Sequence, residues 1–186
     1  MKEIVALLEE PSAKEVLSVI IPKLFPDISF RCIVFDGKQD LEKNITRKLK
    51  CYQNADARFL IIRDKDSGDC KKVKQQIVEK CVESEKTFYK VRILCHELET
   101  IFLADLQAVQ NGLKTKNIVS FQNKNPFRNP DDLPSPKLKL KELVSQHKGI
   151  YQDISGSRAI APYLDLNNTR SSSFKNLVSA IKTLAE

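Results

Sequence analysis

Three acids close the apolar run Phe59-Leu60-Ile61-Ile62-Arg63-Asp64-Lys65-Asp66-Ser67-Gly68-Asp69, and carboxylates so placed point to metal chemistry. Residues 57–62 are apolar apart from Arg58 and lead into a glycine-containing turn. That is the pattern of a short strand buried on both faces of a parallel sheet. Its acids then lie at the carboxyl edge of the sheet, where open α/β folds bind ligands, and Asp64 and Asp66 emerge together into the crevice. Ligands that are all oxygen suit Mg²⁺ or Mn²⁺. Turn and helix-capping chemistry before a helix at Cys70 is the competing reading of these aspartates.

Other chemistries lack their residues. There is no GxxxxGK[ST] or GxGxxG phosphate loop, and the chain has only five glycines. No serine sits in a GxSxG elbow. The five cysteines, at 32, 51, 70, 81 and 95, form no CxxC pair and read as reduced thiols, without the clustering that zinc needs. His96 and His147 are the only histidines, so a Cys–His nucleophile has little to draw on.

The elements that must carry the acids alternate. Residues 3–9 read as a strand, and Pro11 opens a helix running to about residue 23. Residues 30–35 form a second apolar run, closed by Asp36-Gly37, and Leu41, Ile45 and Leu49 mark a helical stripe within 39–51. The acid-terminated strand precedes a helix over 70–84 with Val73, Ile77 and Cys81 on one face, then a fourth strand over 91–95. This alternation argues for βαβ units and an α/β sandwich of about four parallel strands. Further helices are expected over 97–105, 137–146, 157–164 and 171–185, with residues 126–136 as a proline-rich surface loop. The expected organisation is an α/β core over 1–110 and a mainly helical extension over 111–186 packed on it as one compact unit. Glu97 and Glu99 follow the fourth strand, so the edge argument brings one of them to the site. Glu97 is favoured, and the alternative is that both are helix-start acids facing the dipole.

The 31 basic and 24 acidic residues leave a net charge of +7, a bias toward polyanions. Many of the bases, Lys139 and Lys141 among them, fall in the second half of the chain. They are either a solvated face or a phosphate-binding one. Arg158 and Arg170 are further candidates, although Ser171-Ser172-Ser173 before Phe174 reads first as a helix cap. No apolar stretch approaches a membrane span, and the opening residues are too short for a signal-peptide core, so a cytoplasmic protein is expected.

Leu7-Leu8-Glu9-Glu10-Pro11-Ser12 closing the first strand, with Asp64-Lys65-Asp66 closing a later one, resembles the TOPRIM signature of one glutamate and a DxD pair. That family includes topoisomerases, bacterial primases and the nucleases of overcoming-lysogenization-defect type. Residues 63–70, Glu97-Leu98-Glu99 with Phe102 and Asp105, and 170–174 resemble small stand-alone TOPRIM-like bacterial proteins, some encoded beside ATPase genes in defence loci. The resemblance implies a Rossmann-like fold and a metal-dependent nuclease acting in an antiphage system under an ABC- or AAA-type ATPase partner. In it Glu9 serves as general base or metal ligand, Asp64 and Asp66 hold Mg²⁺ or Mn²⁺, and Asp69 completes the cluster or binds a second ion. Lys65 or Arg63 then clamps phosphate. Two departures stand out: Glu10 where the family has glycine, and Ala13 where it often has an acid. A catalytically silent binding or regulatory subunit, with the same fold and the cluster compromised, is therefore the alternative, and a homo-oligomer is compatible with either.

Overall fold

A computed structural model describes residues 2–66 and 68–186, so Ser67 of the strand-terminal motif lies outside the described residues. The chain opens with three strand–helix units and a fourth strand: β1 (Glu3–Leu8), α1 (Pro11–Leu24), β2 (Ser29–Val34), α2 (Gly37–Lys50), β3 (Ala57–Asp64), α3 (Cys70–Glu83) and β4 (Tyr89–Leu94). All pairings are parallel, in the order β2-β1-β3-β4. The α/β class and the four parallel strands are as the alternation predicts. β1 and β3, in the centre, are the two nearly continuous apolar runs, as burial on both faces demands.

Side-chain alternation splits the core in two. Val5, Leu7, Phe59 and Ile61 face α2 and α3, where Leu41, Ile45, Leu49, Ile77 and Cys81 complete one buried cluster. Ile4, Ala6, Leu8, Leu60 and Ile62 face a second, larger cluster built with α1, α4 (Glu99–Leu103), α5 (Leu106–Leu113), α6 (Pro136–Gln146), α7 (Asp153–Ile160) and α8 (Ser172–Ala185). The later helices thus complete the cover of one sheet face. The division expected at 110/111 falls inside α5, and residues on both sides of it share this one cluster.

Several boundaries differ from the expected ones for identifiable reasons. β3 runs two residues further than its apolar stretch, because Arg63 and Asp64 still pair with Ile93 and Leu94 of β4. The helix expected over 97–105 is two: Asp105 accepts from the Ala108 N–H at 3.0 Å and starts α5 as its N-cap. α7 begins at Asp153, upstream of the expected 157, and takes Gly156 into its first turns. A Cβ at Gly156 would lie 2.5 Å from the Tyr151 ring, so glycine here serves close packing rather than a break. At residue 37 glycine is needed for its backbone, with φ +81 at the turn into α2. No helix among the described residues is long and apolar enough to cross a membrane.

Candidate functional site

The carboxyl ends of β1 and β3 lie side by side, with Leu8 opposite Ile62, so the chain leaving β1 at Glu9 passes over the last turnward residues of β3. The Asp64 N–H donates to Glu9 Oε2 at 3.1 Å. Alternation turns Asp64 to the face of Leu60 and Ile62, where it is 8 % exposed and Glu10, Glu9 and Glu99 surround it. Burial, and then those three acids, push its carboxyl well above the usual range, while the Leu98 backbone partly opposes them. Glu9 is raised too, chiefly by burial and further by Asp66 and Glu10, against the Asp64 N–H and Arg63. Arg63 itself turns to the opposite face, donating from Nε to Glu42 Oε1 at 2.7 Å.

Asp66 does not follow Asp64 into this setting. Its backbone is left-handed, φ 52, which breaks the two-residue alternation and aims the carboxylate at Lys38 Nζ, 2.9 Å away, with Arg63 Nη1 at 3.8 Å. Asp69 is the N-cap of α3, accepting from the Lys71 and Lys72 N–H groups at 2.8 and 3.0 Å, and these bonds hold its carboxyl below the ordinary range. Glu97 likewise serves a helix start: its Oε2 accepts from the Lys137 N–H at 2.8 Å in the first turn of α6.

The member of that pair nearest Asp64 is Glu99. It is fully buried, its Oε1 accepts from the Tyr151 hydroxyl at 2.9 Å, and its Oε2 has no hydrogen-bond partner. Burial raises its carboxyl to about 7 even though Lys137 and Tyr151 pull the other way. Lys137 Nζ stands between three acids, 3.2 Å from Asp153 Oδ2, 3.7 Å from Glu10 Oε2 and 3.8 Å from Glu99 Oε1. Burial alone would lower its pKa, and Glu99, Glu10 and Asp153 more than offset that, keeping it an ammonium. Glu10, Glu99, Lys137, Tyr151 and Asp153 were not among the residues that motif reasoning placed first. Glu10 was visible only as a departure from the TOPRIM pattern, and Glu99 only as the less favoured neighbour of Glu97.

The cationic candidates are distributed differently. Lys139 pairs with Glu142 at 2.8 Å, Lys141 with Asp153 at 3.1 Å, and Arg158 grips both oxygens of Glu15 at 2.7 and 3.1 Å. Arg170 is exposed, and the serine after it is the cap of α8: Ser171 Oγ accepts from the Phe174 N–H at 3.1 Å and donates to Asp131 at 2.7 Å. Lys65 lines a depression of about 460 Å³ with Asp66, His96, Glu97, Pro134 and Ser135. Asp66, His96 and Ser135 all carry positive φ, and the Asp66 N–H donates to the His96 carbonyl at 3.0 Å. Strained backbone of this kind collects at functional edges.

Among the described residues, no three Asp, Glu, His or Cys side chains are gathered at metal-ligand spacing. The donor chemistry of Glu9, Asp64 and Glu99 nonetheless fits a hard cation: carboxylate oxygens only, Asp64 and Glu99 buried and Glu9 half-buried, both glutamates repelling Asp64, and one oxygen of Glu99 orphaned.

The same fold is found in the C-terminal region of the Burkholderia pseudomallei OLD protein, at 11% identity and a TM-score of 0.58, with 98% of each chain covered. The C-terminal region of the Xanthomonas campestris pv. campestris OLD protein aligns at 12% identity and a TM-score of 0.54 over 98% of this chain and 95% of that one. No curated protein matches the sequence. Residues 8–182 match the model of a family described as a domain of unknown function, DUF4276. The match spans nearly the whole chain, and the protein belongs to the DUF4276 family.

Proposed function

We propose that this protein is a metal-dependent nuclease of TOPRIM type that hydrolyses phosphodiester bonds of DNA or RNA. One observation carries the reading: Glu9 and Asp64 stand at adjoining strand ends, joined by a 3.1 Å hydrogen bond from the Asp64 N–H, and burial and Glu10 raise both carboxyls, with Glu99 adding to the rise at Asp64. Acids concentrated at the ligand-binding edge of a parallel sheet call for a cation. Glu9 and Asp64 would hold Mg²⁺ or Mn²⁺, with the unpartnered Glu99 oxygen as a further donor. The ion would supply charge neutralisation at the phosphate and a more acidic water.

The chain's own groups have complementary tasks. The Lys137 ammonium, held by three acids, is suited to donate to a non-bridging phosphate oxygen. Lys65 lines the adjoining depression and can meet the next phosphate. Glu9, less buried than Asp64, is the better placed to accept a proton from the attacking water, and Asp66 with Lys38 and Arg63 forms the outer wall. The fold likeness to regions named as C-terminal parts of OLD proteins supports a domain that works with a second module, here proposed to be a separate ATPase subunit.

The silent-subunit reading is favoured by a different observation, that Lys137 already counter-charges Glu10, Glu99 and Asp153. Incubating the protein with plasmid DNA and with RNA in Mn²⁺ separates the two. Cleavage by wild type that Asp64→Asn abolishes supports the nuclease, whereas intact substrate in both, with and without an ATPase partner, supports the silent subunit.

A further inference from the structure

A cleft of about 410 Å³ lies where the C-terminal ends of α5 and α6 meet, lined by Lys114, Lys116, Asn117, Gln146, His147 and Lys148. No acid lines it. Its three lysines have no side-chain hydrogen bond or ion pair among the described residues, in contrast to Lys139, Lys141 and Arg158. Lys124 extends the same surface: its Nζ is 4.9 Å from the Phe121 ring, and that ring is 5.4 Å from the ring of His147.

The backbone here is unusual in a way that concerns the lysines. Lys114 and Lys148, just beyond the ends of α5 and α6, have φ of 54 and 59, and Asn117 has φ 63. The left-handed position past a helix end is ordinarily glycine, because a side chain costs energy there. Attraction of a cation to the helix dipole explains a lysine at either end alone. It does not explain two such ends facing one cleft, with Lys116 between them. The platform is also fixed: a Cβ at Gly149 would lie 2.4 Å from Thr115 Cγ2, so the two turns approach as closely as glycine permits. Thr115 is 6 % exposed, and its buried hydroxyl has no hydrogen-bond partner.

We propose that this cleft binds the phosphodiester backbone of the nucleic acid whose scissile phosphate lies at the Glu9–Asp64 site, an inference that rests on the nuclease reading above. α6 is the ruler between the two places. Lys137 in its first turn stands among the acids, and His147 and Lys148 at its other end line the cleft. Its 11 residues, at about 1.5 Å each, span about 16 Å. The backbone is therefore held at two points about one α6 length apart, one where it is cut and one where only its charge is read.

The test measures binding in EDTA, apart from cleavage, by the anisotropy of a labelled DNA duplex and of a labelled RNA strand across a salt series. Lys114→Gln/Lys116→Gln/Lys148→Gln is compared with wild type and with Lys43→Gln/Lys48→Gln/Lys50→Gln, which removes equal charge from exposed positions of α2 on the other sheet face. Loss of three phosphate contacts lowers the slope of log affinity against log salt by about 2.7 for the duplex and about 2.1 for the single RNA strand, and affinity near physiological salt by about 50- to 100-fold. The α2 variant should bind as wild type does. Equal weakening of both variants, or wild-type binding by the cleft variant, would overturn the inference while cleavage in Mn²⁺ left the nuclease reading standing. Cleft-dependent binding without cleavage in Mn²⁺, with and without an ATPase partner, would keep the cleft as a phosphodiester site and remove the nuclease.

Discussion

Replacing Glu99 with Gln should stabilise the metal-free protein at pH 8 and change it little at pH 5. Glu99 is fully buried, and its carboxyl is raised from the ordinary 4.5 to about 7. A raised carboxyl means that the folded state holds its proton more tightly than the unfolded chain does. Stability is then greatest below pH 4.5, falls as pH rises through the interval, and levels off above about 7. At about 1.4 kcal/mol per pH unit, the loss between pH 5 and pH 8 is about 2.5 kcal/mol. Glutamine keeps an oxygen to accept from the Tyr151 hydroxyl, which lies 2.9 Å from Glu99 Oε1, and it removes the charge. Asp64 and Glu9 are raised too, and because Glu99 is one of the charges that raise Asp64 the variant also relieves Asp64, which acts in the same direction; the quantity to read is the difference between the variant and wild type. Urea denaturation in EDTA at the two pH values measures it, and the predicted gap at pH 8 corresponds to about 1 M in midpoint. Parallel curves, with no gap opening between pH 5 and 8, would refute the buried-charge reasoning.

Three further outcomes follow from the same geometry. Asp69→Ala should lower the urea midpoint by removing the α3 cap and leave Mn²⁺-dependent cleavage intact, which an activity assay beside a melt would check. Gly156→Ala drives a methyl to 2.5 Å from the Tyr151 ring and should cost about 1–3 kcal/mol in denaturant unfolding, with Tyr151 and hence Glu99 displaced. Glu97→Gln should retain most cleavage, because the amide oxygen still accepts from the Lys137 N–H, while Glu99→Gln should lose most of it; comparing the two initial rates decides which acid belongs to the site.

The strands and the edge that carries the acids were legible because their signals are local. β1 and β3 are nearly continuous apolar runs, and the α2 stripe of Leu41, Ile45 and Leu49 is a strict four-residue repeat that the structure buries completely. The arrangement within the edge was less legible. Alternation predicts Asp64 and Asp66 on one side, and a left-handed φ at Asp66 parts them. Sequence reasoning favours Glu97, and only the packing of α6 against α4 gives Glu97 to a helix start and Glu99 to the acids. Lys137 meets Glu10 from 127 positions away, a contact no local pattern announces. Charge counts also mislead: Lys139, Lys141 and Arg158 stand out in sequence and are already paired, whereas the lysines of the α5–α6 cleft are not.

Whether Glu9 and Asp64 hold a divalent cation at the joined ends of β1 and β3 is decided by calorimetric titration of Mn²⁺ into wild type and Asp64→Asn. Saturable binding to wild type is expected, with its loss in a variant that remains folded by circular dichroism. Absence of Mn²⁺ binding to wild type, or binding undiminished by Asp64→Asn, would rule the ion site out.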